Sequence, residues 1–297
     1  MESLGSKLAK VLISKMPFKE HMSMSGEEFW EVAEDNIFRD PVSVKPNIFR
    51  DLKMDTIDAN GEKYYRIYPE KDDAEKVIIY FHGGTFIYGI FPFHFNMLYD
   101  ILEGGKIEAL VPLYPLLPEA DAEMIHESIL DTYRAVLNAE VEPEKIILMG
   151  DSAGGYLCLL LMHLLRREGL PFPGQMVLIS PLLDFCEPPK YAKALEEKDP
   201  FIAMGCRDDL LKVLGEGREV TDPLVSPRFG DMRDFPKTDV ISGTDDLLHI
   251  QASNFYRDKH DEFDLRLHLF DDMMHNFPIM PIKEGLEARK LIKKIIE

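Results

Sequence analysis

The sequence predicts an α/β fold in which a mostly parallel sheet carries helices on both faces. Short, almost continuous apolar runs recur along the chain, as in strands that are buried on both faces. Between several of these runs, apolar residues recur at helical spacing, and this alternation is typical of strand-helix-strand units. The predicted strands are 77–81, 109–111, 146–149, 176–179, 240–241 and 265–269, and the predicted helices are 122–137, 157–167, 250–259 and 281–296.

Composition excludes several classes of protein. The chain of 297 residues has a formal net charge of −19, which argues against nucleic acid or anionic membrane surfaces as main partners. No apolar window reaches the ~20 residues of a membrane-spanning helix, and the spacing of Cys158, Cys186 and Cys206 fits neither a disulfide framework nor a zinc site. We therefore expect a cytoplasmic protein without a signal peptide, and the sequence is compatible with a homodimer.

Two segments near the N-terminus have helical periodicity. Leu4, Leu8, Val11 and Leu12 share one face of a predicted helix, and a second periodic stretch runs over 25–37. Packing of the first helix on the protein's own body is favoured over a membrane surface, because the protein carries so much negative charge. That apolar face is therefore predicted to be buried.

The chain next forms a hairpin, and a later segment interrupts the alternation. Strands over 55–57 and 64–68 are joined by Asn60-Gly61, a pair that supplies the positive φ angles of a tight turn. Residues 184–219 carry three prolines and many charges but no strand pattern. They therefore predict a helical insertion between two strands.

The strongest local motif is Gly150-Asp151-Ser152-Ala153-Gly154, which directly follows a predicted strand and directly precedes an apolar helix. The glycines permit the sharp, strained turn that lifts a serine hydroxyl above a sheet. The alternatives are a plain turn with the serine as helix N-cap, or a phosphate loop, which would need a lysine after the glycines. Because other parts of a hydrolase site occur in the right order, Ser152 is predicted to be a nucleophile.

A serine nucleophile also needs N–H donors for the oxyanion that develops on the attacked carbonyl. His82-Gly83-Gly84-Thr85 follows the first predicted parallel strand. Gly83 and Gly84 have no side chain to keep the backbone away from a substrate oxygen, and the N–H of Ala153 would complete the hole. Alone, the two glycines would indicate only a turn; with the serine motif downstream they predict an oxyanion hole.

Five histidines lie C-terminal to Ser152, and His275 is predicted to be the base. It lies in a loop just past the last predicted strand, at the sheet edge where α/β folds bind their ligands. Of the others, His163 lies in a predicted helix and His268 in a predicted strand. His249 lies beside two candidate acids, and His260 lies in a charged run.

Two adjacent carboxylates, Asp245 and Asp246, follow the predicted strand at 240–241. Successive residues that leave a strand point in different directions, so only one of the two can reach the imidazole of His275. The other is expected to cap the next helix or face solvent. A nucleophile, acid and base in the order Ser, Asp, His is that of α/β-hydrolases.

The combination of motifs resembles the hormone-sensitive-lipase-like family of α/β-hydrolases, the bacterial carboxylesterases with an HGGG motif. The similarity covers roughly residues 75–280, and the combination is far more specific than any single motif. It rests on His-Gly-Gly-Thr at 82–85, Gly-Asp-Ser-Ala-Gly-Gly at 150–155, Leu-Ile-Ser-Pro-Leu-Leu-Asp at 178–184 and Met-His-Asn-Phe at 274–277.

The resemblance implies an α/β-hydrolase fold, with a sheet of about eight strands flanked by helices and with a helical cap. Residues 1–50 and the insertion at 184–219 are expected to form the cap, over a catalytic domain that spans 51–297. Ser152 and His275 then become the nucleophile and the base.

The resemblance also implies the remaining roles in the site. Gly83, Gly84 and Ala153 become the oxyanion donors, and the acid falls on Asp246, since family members carry it three residues after a small residue. Thr85 stands where the family has a third glycine, so the family's acyl pocket does not carry over to this chain.

The predicted activity is that of a serine carboxylesterase, which hydrolyses short- to medium-chain esters through an acyl-enzyme. No metal or cofactor is expected, because the sequence has neither a His-Glu-x-x-His motif nor a dinucleotide fingerprint. The same triad would serve an amidase or a peptidase. The fold would also serve a non-catalytic ligand-binding protein, although such proteins normally lack a member of the triad.

Overall fold

Eight strands form one central sheet in the computed structural model: β1 (Leu52–Ala59), β2 (Glu62–Pro69), β3 (Lys76–Phe81), β4 (Ile107–Pro112), β5 (Ile146–Asp151), β6 (Gln175–Ile179), β7 (Lys237–Gly243) and β8 (Leu265–Phe270). Their order in the sheet is β1-β2-β4-β3-β5-β6-β7-β8. β2 pairs antiparallel with β1 and with β4, and all other neighbours are parallel. The predicted mostly parallel sheet and the antiparallel strand pair are confirmed.

The structure describes residues 2–35, 51–59, 62–190 and 192–297. Part of the predicted N-terminal cap segment, residues 36–50, and the predicted turn at Asn60-Gly61 lie outside the described residues. Within them, ten α-helices accompany the sheet: α1 (Leu4–Ile13), α2 (Phe18–Ser23), α3 (Glu27–Glu34), α4 (Pro92–Leu102), α5 (Ala122–Asn138), α6 (Ala153–Glu168), α7 (Ala192–Lys198), α8 (Arg207–Gly215), α9 (His249–Lys259) and α10 (Lys283–Ile296).

The sheet separates two apolar cores, and alternate residues of a strand belong to opposite cores. In β3, Val77, Ile79 and Phe81 belong to the core that includes α5, α6 and α9. Ile78 and Tyr80 belong to the core that includes α4 and α10. Because both sides of the strand are buried, its sequence is a continuous apolar run rather than an alternating one.

Helix α4 has no counterpart among the predicted helices. Pro92 occupies its first turn, where proline is well tolerated. The rest of the helix consists largely of Phe, His, Asn, Tyr and Asp, which have weak helix propensity. Its packing against α10, mainly through apolar residues such as Phe95 and Leu98, stabilises it instead.

The apolar face predicted to be buried on α1 lies in solvent. Leu4, Leu8, Val11 and Leu12 are each more than half exposed, whereas Ile13 on the other side of the helix is buried. The prediction that this face packs on the protein's own body is therefore wrong for the described chain.

Polar contacts set the orientation of α1. The Ser3 N–H and hydroxyl donate to the carboxylate of Glu284 on α10, at 2.7 and 2.8 Å. Lys10 Nζ lies 2.9 Å from Asp245 Oδ2. Helical periodicity identifies the apolar face, but these partners, hundreds of residues away in the chain, decide which face is turned inward.

The N-terminal segment packs against the insertion between β6 and β7. The Cys206 N–H donates to the carbonyl of Met22 at 3.1 Å, and the Gly26 N–H donates to Asp209 Oδ2 at 2.8 Å. The ring of Phe18 stacks on that of Phe201 at 5.4 Å. The two segments expected to form a cap are thus in direct contact.

The exposure of α1 gives a stability prediction. We expect Leu8→Ala to change the free energy of unfolding by less than about 0.5 kcal/mol, because the side chain already lies in water. Ile13→Ala, on the same helix, removes buried methyl groups and should cost about 2 kcal/mol. Chemical denaturation of both variants checks the ranking, and equal losses would show that Leu8 is buried in solution.

Candidate active site

Ser152 lies on a strained turn between β5 and α6. Its φ and ψ angles are 53° and −118°, in a region that L-residues rarely adopt, at a cost on the order of 1–3 kcal/mol. Its N–H donates to the carbonyl of Ile179 at 2.9 Å. Its carbonyl accepts from the N–H of Leu182 at 3.1 Å and from that of Tyr156 in α6 at 3.2 Å. The end of β6 therefore stabilises the turn.

Gly154, two residues after this serine, is required by the close approach of the start of α6 to the end of β3. A Cβ on Gly154 would lie 1.9 Å from the carbonyl oxygen of Phe81, the last residue of β3. No side chain fits there without moving backbone. The loop that follows β3 is consequently held directly beside Ser152.

His275 and Asp246 lie next to each other because β7 and β8 are parallel neighbours whose carboxyl ends meet at one sheet edge. His275 Nδ1 is 3.0 Å from Asp246 Oδ1, and both side chains are almost completely buried. The same carboxylate oxygen accepts the N–H of Leu248 at 2.8 Å. Ser152 and His275 line one pocket, so the three predicted triad residues converge at the site.

The neighbouring carboxylate, Asp245, has different partners. Its oxygens lie 2.9 Å from Lys10 Nζ of α1 and 3.3 Å from Lys198 Nζ at the end of α7. It thus joins the N-terminal helix to the insertion. Of the two candidate acids, the geometry brings Asp246 to His275 and directs Asp245 to the two lysines.

The other histidines downstream of the serine bind groups elsewhere. His163 Nε2 lies 2.7 Å from the carbonyl oxygen of Pro227, and His268 Nε2 lies 2.7 Å from Asp239 Oδ1. The ring of His249 contacts a serine one turn along α9, and that of His260 contacts a carbonyl one turn back. Of the histidines downstream of Ser152, His275 is the one that lines this pocket.

The electrostatics of the site favour a charged imidazole. Burial alone would lower the pKa of His275, but the hydrogen bond and charge of Asp246, with further contributions from Asp199 and Asp151, raise the pKa above its usual value. The interaction with a carboxylate stabilises the imidazolium that forms when the ring accepts a proton.

A polar cluster around Asp151 was not predicted from the sequence. Its fully buried carboxylate accepts the Gly83 N–H at 2.9 Å and the Asn276 amide at 2.6 Å, and it also accepts the hydroxyl of Tyr80 and lies 3.4 Å from His94 Nε2. Burial opposes its charged form, but His94 and these hydrogen bonds outweigh burial and lower the pKa of Asp151 to about 2. The carboxylate therefore stays ionised.

Gly83 departs from its predicted role as an oxyanion donor. Its N–H is already bound to Asp151, and a Cβ at this position would lie 2.3 Å from Asp151 Oδ2, which explains the glycine. In contrast, the N–H groups of Gly84, Thr85 and Ala153 have no hydrogen-bond partner within the described part of the chain. The predicted donors Gly84 and Ala153 remain available, and Thr85 adds a third.

Tyr114 supports the loop at residues 82–85. The hydroxyl of Tyr114 donates to the carbonyl of His82 at 2.7 Å, and the two rings stack at 4.5 Å. Burial lowers the pKa of His82 to about 4, so the ring is neutral at pH 7. These contacts with a neutral imidazole hold the loop without adding a charge.

Two small pockets meet at the serine. One, of about 50 Å³, is lined almost entirely by apolar groups, and the other, of about 20 Å³, contains His275. Met22 of α2 and Ile202 of the insertion line both pockets, as do Thr85 and Ser152. Residues from both expected cap segments therefore form the walls around the serine.

Neither a metal centre nor a membrane span is found among the residues that the structure describes. No group of three or more His, Cys, Asp or Glu side chains in the described ranges could hold a metal ion. None of the helices in those ranges has the length and apolarity to cross a bilayer.

Comparison with known proteins identifies the fold family of the chain. Residues 78–279 match the family model described as alpha/beta hydrolase fold. An esterase of Acinetobacter venetianus is 29% identical over 207 residues, which are 69% of this chain and 68% of that protein. Esterase LipU of Mycobacterium tuberculosis is 31% identical over 191 residues, which are 60% of this chain and 62% of that protein. The aligned part thus spans about two thirds of the first relative and less of the second.

Solved structures resemble the whole chain. An esterase from the bacterial hormone-sensitive lipase family superposes with a TM-score of 0.81 at 25% identity, covering 100% of this chain and 98% of that one. EstE5, soaked with ethyl alcohol, has the same fold, with a TM-score of 0.85 at 22% identity and coverage of 99% and 98%. The chain therefore belongs to the alpha/beta hydrolase fold family, and its resemblance to hormone-sensitive-lipase-like esterases is confirmed.

Proposed function

We propose that this protein is a serine carboxylesterase that hydrolyses esters of short to medium acyl chain length through an acyl-enzyme. One observation carries the proposal: Ser152 and His275 line the same pocket, and Asp246 lies 3.0 Å from Nδ1 of His275. The relatives named esterases support the same reaction class.

The first half of the reaction is attack by Ser152. With Asp246 accepting the Nδ1–H of His275, the Nε2 atom is left to take the proton of the serine hydroxyl as the oxygen attacks the ester carbonyl. Asp246 also stabilises the positive charge that the imidazole acquires. The tetrahedral intermediate then collapses, and the alcohol leaves with the proton held by His275.

The second half regenerates the enzyme. Water enters where the alcohol left, and His275 removes one of its protons as the oxygen attacks the acyl-enzyme carbonyl. Collapse of the second tetrahedral intermediate returns a proton to Ser152 and releases the carboxylic acid. The proposed reaction uses side chains of this protein and no metal or cofactor.

In both halves, charge develops on the carbonyl oxygen of the substrate. We assign its stabilisation to the N–H groups of Gly84, Thr85 and Ala153, which have no partner in the described part of the chain. Gly83 instead holds this loop in place through Asp151. The loop is thereby rigid before the substrate arrives, so little reorganisation accompanies the reaction.

Pocket size and lining support small, apolar ester groups. The larger pocket has a volume of about 50 Å³ and presents side chains such as Phe86, Phe185 and Leu210. We propose that the described N-terminal segment and the insertion act as a cap, since Met22 and Ile202 line both pockets at the serine. A cytoplasmic location and a homodimer stay predictions from the sequence.

The nucleophile is tested with Ser152→Ala. We expect kcat for p-nitrophenyl butyrate to fall by on the order of 10⁴ or more, because the acyl-enzyme can no longer form, with little change in melting temperature. Ser253→Ala, on α9, is the matched control and should keep wild-type kcat. Full activity in Ser152→Ala, or faster cleavage of a matching p-nitroanilide by the wild type, would contradict the proposal.

The base is tested by the pH profile. Below the pKa of His275 the ring is protonated and cannot accept a proton, so kcat/KM should fall on the acid side. Because Asp246 raises that pKa, the midpoint should lie above the usual value of about 6.5. Initial rates from pH 5 to 9 check this, and a flat profile with chemistry limiting would exclude a histidine base.

The acid is tested by a pair of substitutions. Asp246→Asn removes the acceptor that orients His275, so kcat should fall by on the order of 10⁴. Asp245→Asn changes two partly exposed ion pairs, so it should cost about 1 kcal/mol of stability or less and leave kcat near that of the wild type. Both variants are assayed with one chromogenic ester, and the reverse ranking would assign the acid role to Asp245.

A further inference from the structure

A second buried carboxylate lies beside the proposed triad and belongs to the insertion. Asp199 follows the end of α7 and is fully buried. Its Oδ2 accepts two backbone N–H groups, from Leu247 at 3.1 Å and from His275 at 3.2 Å. Its Oδ1 accepts the N–H of Phe201 at 2.8 Å. One carboxylate therefore joins the insertion to the two loops that carry the proposed acid and base.

We propose that Asp199 is a positioning residue for the proposed ester hydrolysis. Its carboxylate fixes the Asp246 and His275 loops relative to each other, and its negative charge stabilises the imidazolium that forms when Ser152 is deprotonated. This inference rests on the proposed function.

The positional part of the proposal follows from the two hydrogen bonds that Asp199 Oδ2 accepts. Leu247 is the residue after Asp246, and the second contact is the main-chain N–H of His275 itself. Hydrogen bonds to an ionised carboxylate are stronger than those between neutral groups. A displacement of about 1 Å in a catalytic side chain can cost 10²-fold in rate, so a shared anchor for both loops matters for catalysis.

The electrostatic part of the proposal follows from the burial of Asp199 beside His275. Asp246 and Asp199 both act on the imidazole of His275 and favour its charged form. Burial, together with the charge of Asp246, raises the pKa of Asp199 to about 6. Asp199 is therefore ionised near pH 8 and neutral near pH 5, so its charge is present in the pH range where His275 works as a base.

The other charged groups around this cluster have partners of their own. The ammonium of Lys19 lies 2.5 Å from the main-chain carbonyl of Asp199 and also contacts the carbonyl of Glu196. Other ionisable groups near the cluster are Asp151, which pairs with His94, and Asp245, which pairs with Lys10 and Lys198. His249 also lies near it, since the charge of Asp246 acts on the pKa of His249, which burial lowers.

Phe201, which lies close to Asp199 in the chain, also links the expected cap to the proposed triad. The ring of Phe201, two residues further along, packs edge-on against the imidazole of His275 at 5.9 Å. On its other side Phe201 stacks on Phe18 of α2. A shift of the insertion would consequently move a carboxylate and an aromatic ring that both touch His275.

The test is Asp199→Asn, which keeps the side-chain size but removes the charge and one hydrogen-bond acceptor. We expect kcat for p-nitrophenyl butyrate to fall roughly 10- to 100-fold with KM changed much less. We also expect the acid limb of kcat/KM to move to lower pH by about 0.5 unit or more, because the imidazolium loses a stabilising charge. A merely structural role would lower stability without moving that limb.

Asp239→Asn is the matched control. Asp239 is equally buried, lies on β7 and pairs with His268 at 2.7 Å, so the substitution makes the same chemical change away from the pockets. It should lower the melting temperature and leave the acid limb in place. An unmoved acid limb in Asp199→Asn, or a loss confined to KM, overturns the proposal.

The wild-type protein provides a second measurement if Asp199→Asn does not fold. Carboxyl ¹³C NMR should show Asp199 ionised at pH 8 and titrating near pH 6. A carboxyl that stays neutral up to pH 8 overturns the electrostatic role. A wild-type protein without esterase activity overturns the proposed function instead, so the two failures are distinguishable.

Discussion

The buried carboxylate of Asp151 is the contact on which the rest of the site depends. Asp151 is the last residue of β5 and directly precedes Ser152. Its carboxylate binds the N–H of Gly83 in the loop after β3 and the amide of Asn276 next to His275. The end of β5 and the loops after β3 and β8 are thus tied to one charge. Burial makes this anchor strong, because an ionised group without such partners would be too costly inside the protein.

A second buried carboxylate, that of Asp199, also accepts backbone N–H groups at the site. Asp151 organises the site from within the sheet, whereas Asp199 reaches it from the insertion and binds the loops after β7 and β8. Between these anchors lie Asp246 and His275, whose own contact of 3.0 Å requires both loops to be in place. The site is therefore held by charge-assisted contacts to backbone N–H groups, while apolar residues form the pockets around the serine.

Two departures from the sequence predictions have one cause. Gly83 has the expected residue type and place, yet its N–H is bound to a carboxylate 68 residues away. The apolar residues of α1 have the expected helical spacing, yet Lys10 and Ser3 bind partners that turn that face outward. In both cases the local pattern was correct and a long-range polar contact decided the outcome, since a hydrogen-bonding group is available to only one partner at a time.

The sequence by itself determined the alternation of strands and helices, the serine turn and the choice of His275. These depend on local burial, on the small size of glycine and on the place of a loop after a strand. Only the tertiary structure decided which of Asp245 and Asp246 meets the imidazole, and that Asp199 joins the loops that carry Asp246 and His275. Those contacts link residues up to 76 positions apart, and their geometry follows from strand order and register, which no local pattern specifies.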